Sequence, residues 1–298
     1  MKYPISRRAA LLVSAVAYAQ EKPGVNSHSF AMGSDPRSQA MSRALTGFWQ
    51  KMDTPIIDWL QLPRTARALD VGCGKGDHTL LFAERSTAVT ALDRDAEILA
   101  YARKKVAEAG RANRVRFVAA DLGQMPLPPS SFDLVWASHV LHSQPDVGKC
   151  LAAFRRVTRP GGRIVIRENR INASLLPYDI GIGSPGLEAR LDMLFVNSFT
   201  ADRRLRGRYP FGWDHALREA GSTDVLVKSF LNELHPPFSD DERRYLTYTL
   251  TRKIGISGLS EEDNSTLRTI TDPGSPNFFL LRDDVHYSGF STIYVGRV

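Results

Sequence analysis

The sequence predicts a three-layer α/β fold, a mainly parallel sheet with helices on both faces. Three observations predict it. Short runs rich in Val, Leu and Ile alternate with helix-compatible stretches between about residues 54 and 168. The first run breaks into a Gly-rich turn where strand should pass to helix. An acidic residue closes the second run, and another follows the third.

The elements follow in order. Ser34, Asp35 and Pro36 form a helix-start pattern, with Asp as cap and Pro in the first turn, and this helix is expected to reach about residue 51. A second short helix is expected over 54–60, with Pro55 at its start. Residues 68–71 are the first strand, followed by Gly72, Cys73, Gly74 and Gly76, then a helix over 78–85. The second strand, 89–92, ends in Asp93, and a helix over 95–109 stops at Gly110. A third strand, 115–119, runs into Ala120, Asp121 and Leu122. Strand four is expected over 132–136, a helix over 147–158, and strand five over 163–167 after the turn 159–162. A helix over 213–220, stopped by Gly221, precedes strand six at 225–229, and strand seven at 292–296 closes the sheet.

Two insertions stand outside this pattern, 169–212 and 231–289. The first is loop-rich and carries a helix over about 187–198. The second carries two helices with clear starts, at Ser239 and at Ser260 with Asp263 three residues on. Ligands of open α/β sheets sit outside the carboxyl ends of the strands, so the insertions are expected to form a cap over that edge.

The turn spacing narrows the ligand. Glycine lets backbone approach a nucleotide closely because no Cβ intervenes. A dinucleotide-binding turn reads G-x-G-x-x-G and faces a pyrophosphate. Here the third glycine comes one residue early, and Asp77 holds its place. That spacing suits a nucleoside without a diphosphate. Asp93 stands roughly 20 residues beyond the turn, where a carboxylate can accept both hydroxyls of a ribose. Asp121 could take an exocyclic amine, with the backbone of Leu122 serving a ring nitrogen.

D-V-G-C-G-K-G, L-D-R-D, A-D-L, S-F-D-L-V-W-A-S-H-V-L-H and R-P-G-G-R-I-V-I occur in this order. Together they resemble the successive motifs of class I S-adenosylmethionine-dependent methyltransferases, in the small-molecule group that includes the ubiquinone/menaquinone C-methyltransferases. The resemblance covers roughly residues 41–168; beyond, it is one of layout. It implies a Rossmann-like, seven-stranded sheet over a domain of residues 34–298, with its core at 54–168. It also implies that Asp70, Gly72, Cys73, Gly74, Gly76, Asp93, Arg94, Asp121, Leu122 and Ser138 bind S-adenosylmethionine. Asp70 is open to two roles, near the cofactor's amino-acid end or holding the Gly turn. His139 is the candidate general base, with His142 behind it, since an imidazole can take a proton from a phenol or enol. Tyr178, Tyr209 and Trp213 are candidate acceptor contacts, and they could equally form an insertion's own core. Family branches that methylate base or glutamine nitrogens carry Asn/Asp-Pro-Pro-aromatic after strand four. Ala137-Ser138-His139-Val140 stands there instead, which favours O- or C-methylation.

Composition sets bounds. The chain has 298 residues, 43% hydrophobic and 24% charged, ordinary values for a globular protein. The net charge of +7 is drawn in part from Lys2, Arg7, Arg8 and Lys22. The dense basic run Arg203-Arg204-Leu205-Arg206-Gly207-Arg208 is short, which argues against an extended nucleic-acid groove. Cys73 and Cys150 have no metal or redox spacing, and no metal is expected. No apolar run reaches a membrane-spanning length. Residues 1–33 combine a signal-like start with a polar linker: Ser6-Arg7-Arg8, an apolar stretch and Ala17-Tyr18-Ala19 resemble a twin-arginine export signal. S-adenosylmethionine is made in the cytoplasm, which tips the expectation toward a cytoplasmic enzyme. The expected acceptor is a small organic molecule. The rival readings are a macromolecule methyltransferase and a non-catalytic S-adenosylmethionine-binding protein.

Overall fold

The computed structural model describes residues 42, 45–85, 88–168, 173–201 and 211–298. The leader and linker, the helix start at 34–36, the 203–208 basic run and Tyr209 lie outside these residues. The chain divides into two compact units. The described residues of the sheet unit fall within 32–170, 202–231 and 290–298, and those of the helical unit within 171–201 and 232–289.

The sheet unit opens with helix α1 (Thr46–Trp59). The sequence predicts two helices here, broken before Pro55; the structure has one helix running through it. Pro55 removes a single internal hydrogen bond. The continuous buried face of Phe48, Met52, Asp53, Ile56 and Ile57 offsets that loss. Strand β1 (Arg67–Val71), helix α2 (Asp77–Arg85), strand β2 (Ala88–Asp93) and helix α3 (Ala96–Glu108) follow. Asp95 caps α3, accepting from the amides of Glu97 and Ile98. Then come β3 (Val115–Ala119), β4 (Phe132–Ser138), helix α4 (Val147–Val157) and β5 (Thr158–Arg167). Helices α5 (Leu187–Ala201) and α6 (Trp213–Glu219), strand β6 (Thr223–Leu234), helices α7 (Asp240–Thr251) and α8 (Glu261–Thr271), and strand β7 (Tyr287–Arg297) complete the chain.

The seven strands lie in the order β3-β2-β1-β4-β5-β7-β6. β1 through β5 pair in parallel, and β7 is antiparallel to β5. Strands four to seven all run longer than their apolar cores suggested. β5 begins at Thr158 rather than after the Pro-Gly-Gly turn, and its register with β4 shifts between Phe132 and Leu134. The turn is absorbed as an irregularity inside the strand.

The register sets the site. Val71 pairs with Leu92 and Ala137, Asp93 with Ala119, and Ser138 with Arg167. The carboxyl ends of β1 to β5 therefore lie along one edge, and the residues that follow them are neighbours. Buried apolar side chains fill both faces behind that edge. Leu69, Val135, Ile166 and Phe154 belong to one cluster; Phe82, Trp136, Ile57 and Val165 belong to the other.

The helical unit gathers α5, α7 and α8. Ser239 caps α7 as the sequence predicts and completes a full capping box with Glu242, whereas at α8, where the spacing predicts the box, Ser260 accepts from the Asp263 amide. Arg190 reaches Asp263 through a two-nitrogen fork at 2.7 and 2.9 Å. Lys253 pairs with Asp192 at 2.6 Å. Glu188 accepts from the amides of Leu175 and Leu176, pinning the loop before α5.

Candidate active site

The turn after β1 is left-handed at each glycine: φ is 66° at Gly72, 50° at Gly74 and 81° at Gly76. The three are not equivalent. A Cβ on Gly72 would lie 2.5 Å from Val140 Cγ2, and one on Gly76 would lie 3.0 Å from the Ala102 Cβ. A Cβ on Gly74 would meet no protein atom within 4 Å. Gly72 and Gly76 thus serve packing, while Gly74 faces open space.

Asp93 braces this turn. Its Oδ2 accepts from Gly74 N at 3.0 Å, and its Oδ1 from Asp95 N at 3.1 Å. Each oxygen keeps a lone pair for a further donor. Cys73 directs its side chain into the core beside Ala91 and Leu99, and its amide bonds Leu92 O at 3.0 Å. Asp77, in the place of the missing glycine, pairs with Lys105 and ties the start of α2 to α3.

Asp70 lies below the turn, 2% exposed, accepting from Thr79 Oγ1 at 2.6 Å. Burial pushes its pKa up to about 6, against the pull of His78 and the Thr79 hydrogen bond. That bond ties the end of β1 to α2, the two elements on either side of the Gly turn. Asp121 is exposed, and its Oδ1 accepts from Gly123 N at 2.8 Å. Leu122 is buried in the core with only its backbone left to offer. Arg94 is exposed and Ser138 half-buried, each at a strand end.

After β4 the chain turns at His139, whose φ of 51° is uncommon for a non-glycine residue. Its amide bonds Arg167 O at 2.9 Å. His142 follows in a short 3₁₀ turn, Leu141–Ser143. Glu168, 5% exposed at the end of β5, faces both histidines. His142 Nδ1 lies 3.0 and 3.2 Å from its two oxygens. His139 Nδ1 lies 3.6 Å away, beyond hydrogen-bond range. Leu141 N also donates to Glu168, at 3.2 Å. Burial alone would raise the pKa of Glu168, but the two histidines beside it bring it down to about 2. His142 moves the other way: burial works to lower it, and the Glu168 hydrogen bond and charge raise it above its ordinary value. An anionic Glu168 accepts a hydrogen bond from the Nδ1–H of His142 and leaves Nε2 as the basic nitrogen.

Glu168 is absent from the residues the sequence singles out, as are Asp53, His78 and Arg167. The position of Glu168, directly after a parallel strand, was the available signal. Asp53 reads as polar filler within α1 until its partner appears. Arg167 reaches Asp53 Oδ1 at 2.9 Å and Oδ2 at 3.1 Å across a sequence separation of 114.

The candidate acceptor contacts fall in different units. Tyr178, in the helical unit, is 79% exposed. Trp213 opens α6 and packs against the core cluster of the sheet unit. Among the described residues, no group of three or more His, Cys, Asp and Glu could hold a metal ion. Among them, no helix is long and apolar enough to cross a membrane.

A parallel sheet of this order with one antiparallel strand, a left-handed Gly turn after β1 and an acid closing β2 define a class I methyltransferase domain. Comparison with known proteins agrees. Residues 69–166 match the family described as methyltransferase domain. It is 34% identical over 114 residues to a sterol 4-C-methyltransferase of Caenorhabditis elegans, covering 37% of this chain and 33% of that protein. It is 28% identical over 144 residues to a ubiquinone/menaquinone biosynthesis C-methyltransferase of Psychromonas ingrahamii, covering 47% and 56%. It is 32% identical over 133 residues to the 27-O-demethylrifamycin SV methyltransferase of Amycolatopsis mediterranei, covering 44% and 47%. The chain thus spans between a third and just over half of the length of these relatives. A solved structure from Bacillus halodurans C-125, provisionally described as a methyltransferase, shares the fold, with a TM-score of 0.51 at 19% identity over 82% of this chain and 97% of that one.

Proposed function

We propose that this protein transfers a methyl group from S-adenosylmethionine to a small organic acceptor, at oxygen or carbon. One observation carries the reading: Asp93 and Gly74 are joined at the carboxyl edge of β1 and β2, so the sugar-binding acid and the open turn form one cradle. Gly72, Gly74 and Gly76 shape the cradle, and the spare lone pairs of Asp93 receive the ribose hydroxyls. Asp121 and the backbone of Leu122 hold the adenine. Arg94, Cys73 and Ser138 border the site, and Asp70 supports it from beneath.

The bound cofactor supplies an electrophilic methyl on a sulfonium. The protein's share is to align the acceptor, exclude water and take a proton where the acceptor arrives protonated. Alignment alone can be worth effective molarities of roughly 10⁵–10⁸ M. For the proton, the geometry supports His142 over His139, because only His142 has its Nδ1 fixed by Glu168. Tyr178, Tyr209 and Trp213 are the proposed acceptor contacts, and a cytoplasmic location accompanies a cofactor made there.

Calorimetry with S-adenosylmethionine and S-adenosylhomocysteine, followed by mass spectrometry of a broad small-molecule acceptor panel, tests this. Binding of both nucleosides and a gain of one methyl on a phenol, enol or alcohol are expected. Absence of binding would overturn the reading. Binding without turnover would favour a non-catalytic role, and salt-sensitive methylation of RNA would favour a macromolecular acceptor.

A further inference from the structure

The sheet unit holds a second polar cluster that the proposed reaction does not use directly. The Arg167 guanidinium, 6% exposed, sits at its centre. Nη2 lies 2.9 Å from Asp53 Oδ1 and donates to Ser291 Oγ at 3.0 Å. Nη1 donates to Asp53 Oδ2 at 3.1 Å and lies 3.0 Å from His78 Nε2. One side chain thereby joins α1, the first turn of α2, and β7 to the end of β5. Asp53 is 2% exposed; burial would raise its pKa, yet Arg167 and His78 hold it down to about 2, so the pair is ionic.

We infer that Arg167 is a positioning residue, fixing the Gly turn and the Glu168–His142 pair relative to each other. The inference rests on the function proposed above. His78 is the second residue of α2, two positions beyond Gly76, so the cluster reaches the cradle through the helix that the turn feeds. Glu168 is the next residue after Arg167, and successive side chains of an extended chain point to opposite sides. Holding Arg167 on one side therefore fixes the backbone from which the Glu168 carboxylate departs toward His142. Net stability is a poor rationale for the cluster, since replacing a buried ion pair by apolar residues is often neutral or favourable. What an Arg fork supplies, and apolar packing does not, is a directed connection among four elements.

The test uses the full chain with Arg167→Lys and Ser291→Ala. Lys keeps the charge but cannot reach Asp53, His78 and Ser291 together. Ala removes one arm and leaves the ion pair intact, so it gives a result even where the Lys variant fails to fold. Cofactor Kd is measured by calorimetry well below each variant's Tm, alongside acceptor KM, kcat and the pH profile of kcat. Arg167→Lys is expected to weaken cofactor binding about tenfold. Acceptor KM should hold within about twofold, and the rising limb of the profile should move to lower pH as Glu168 loses its place on His142. Ser291→Ala should shift both readouts the same way by less. Lower Tm with wild-type Kd and an unmoved limb would reduce the cluster to a structural one and overturn the inference. A wild type that binds no S-adenosylmethionine would overturn the parent reading and this inference together. A wild type that binds it, with variants that bind it equally well, would overturn this inference alone.

Discussion

The Oδ2 of Asp93 accepts a hydrogen bond from Gly74 N at 3.0 Å, across 19 residues of sequence. A strand-end acid and a Gly-rich turn, separate in the sequence, are one mechanical unit. Asp93→Asn tests what that unit does. The amide keeps one acceptor oxygen, but its NH₂ must face either Gly74 N or Asp95 N, two donors in conflict. Losing one charge-assisted bond costs about 1.5–3 kcal/mol of stability. The expected outcome is a folded protein of lower Tm whose cofactor affinity falls at least about tenfold. Thermal melts and calorimetry check it; a folded variant with unchanged affinity counts against Asp93 as the ribose ligand.

The two central glycines should separate in the same assays. Gly74→Ala meets no protein atom, so its folded-state cost is the left-handed strain alone, about 1–2 kcal/mol. Gly72→Ala adds a 2.5 Å clash with Val140, a stiff β-branched side chain, to comparable strain. Gly74→Ala is therefore expected to stay folded while losing cofactor binding, because its Cβ projects where a nucleoside would lie. Gly72→Ala should lose Tm first and most. Equal Tm losses in the two variants would contradict this division of roles.

The fold was readable because each signal in it is local. Gly72, Asp95 and Gly110 mark turns and caps whose geometry depends on a few neighbouring residues. The candidate cofactor residues are proposed on the same kind of local signal, since they follow strand ends. The missed parts are the non-local ones. Pro55 reads as a helix break until the packing of Ile56 and Ile57 against the sheet is known. β6 and β7 outrun their apolar cores because pairing, not periodicity, sets their lengths. Glu168 and Asp53 acquire meaning only from partners far along the chain, His142 and Arg167. Such pairs leave no pattern in a single sequence. The proposed preference for His142 over His139 rests on a carboxylate that no spacing rule connects to either.

Glu168→Gln isolates that carboxylate. The Gln oxygen can still accept from the Leu141 amide, so the 3₁₀ turn should persist. The charge that raises the His142 pKa is lost. A base works deprotonated, so kcat of the wild type should rise with pH through a limb above the ordinary histidine value. In the variant the limb should move down in pH, and kcat on the plateau should fall about 10²-fold as the ring loses its orientation. An unshifted limb would remove His142 from the mechanism. The carboxylate also bears on stability. The folded pKa of Glu168 is lowered from 4.5 to about 2, so its contribution is present above about pH 4.5 and drains away as pH falls toward 2.

Asp70 should respond to pH with the opposite sign. Its folded pKa is raised from 3.8 to about 6, so between those values the folded state binds more protons than the unfolded. Stability is then lost as pH rises through that window, and the cost of ionising a buried carboxylate is fully present above it. Each tenfold change in proton affinity is worth about 1.4 kcal/mol, which puts that cost on the order of 2–3 kcal/mol. Asp70→Asn removes the charge while its amide oxygen still accepts from Thr79 Oγ1. Its Tm should exceed that of the wild type at pH 7–8, with the difference shrinking to nothing near pH 4. Melts at whole pH values from 4 to 8 suffice. A wild type at least as stable as the variant at pH 8 would mean that Asp70 ionises without penalty, through a contact with charged neighbours stronger than its burial.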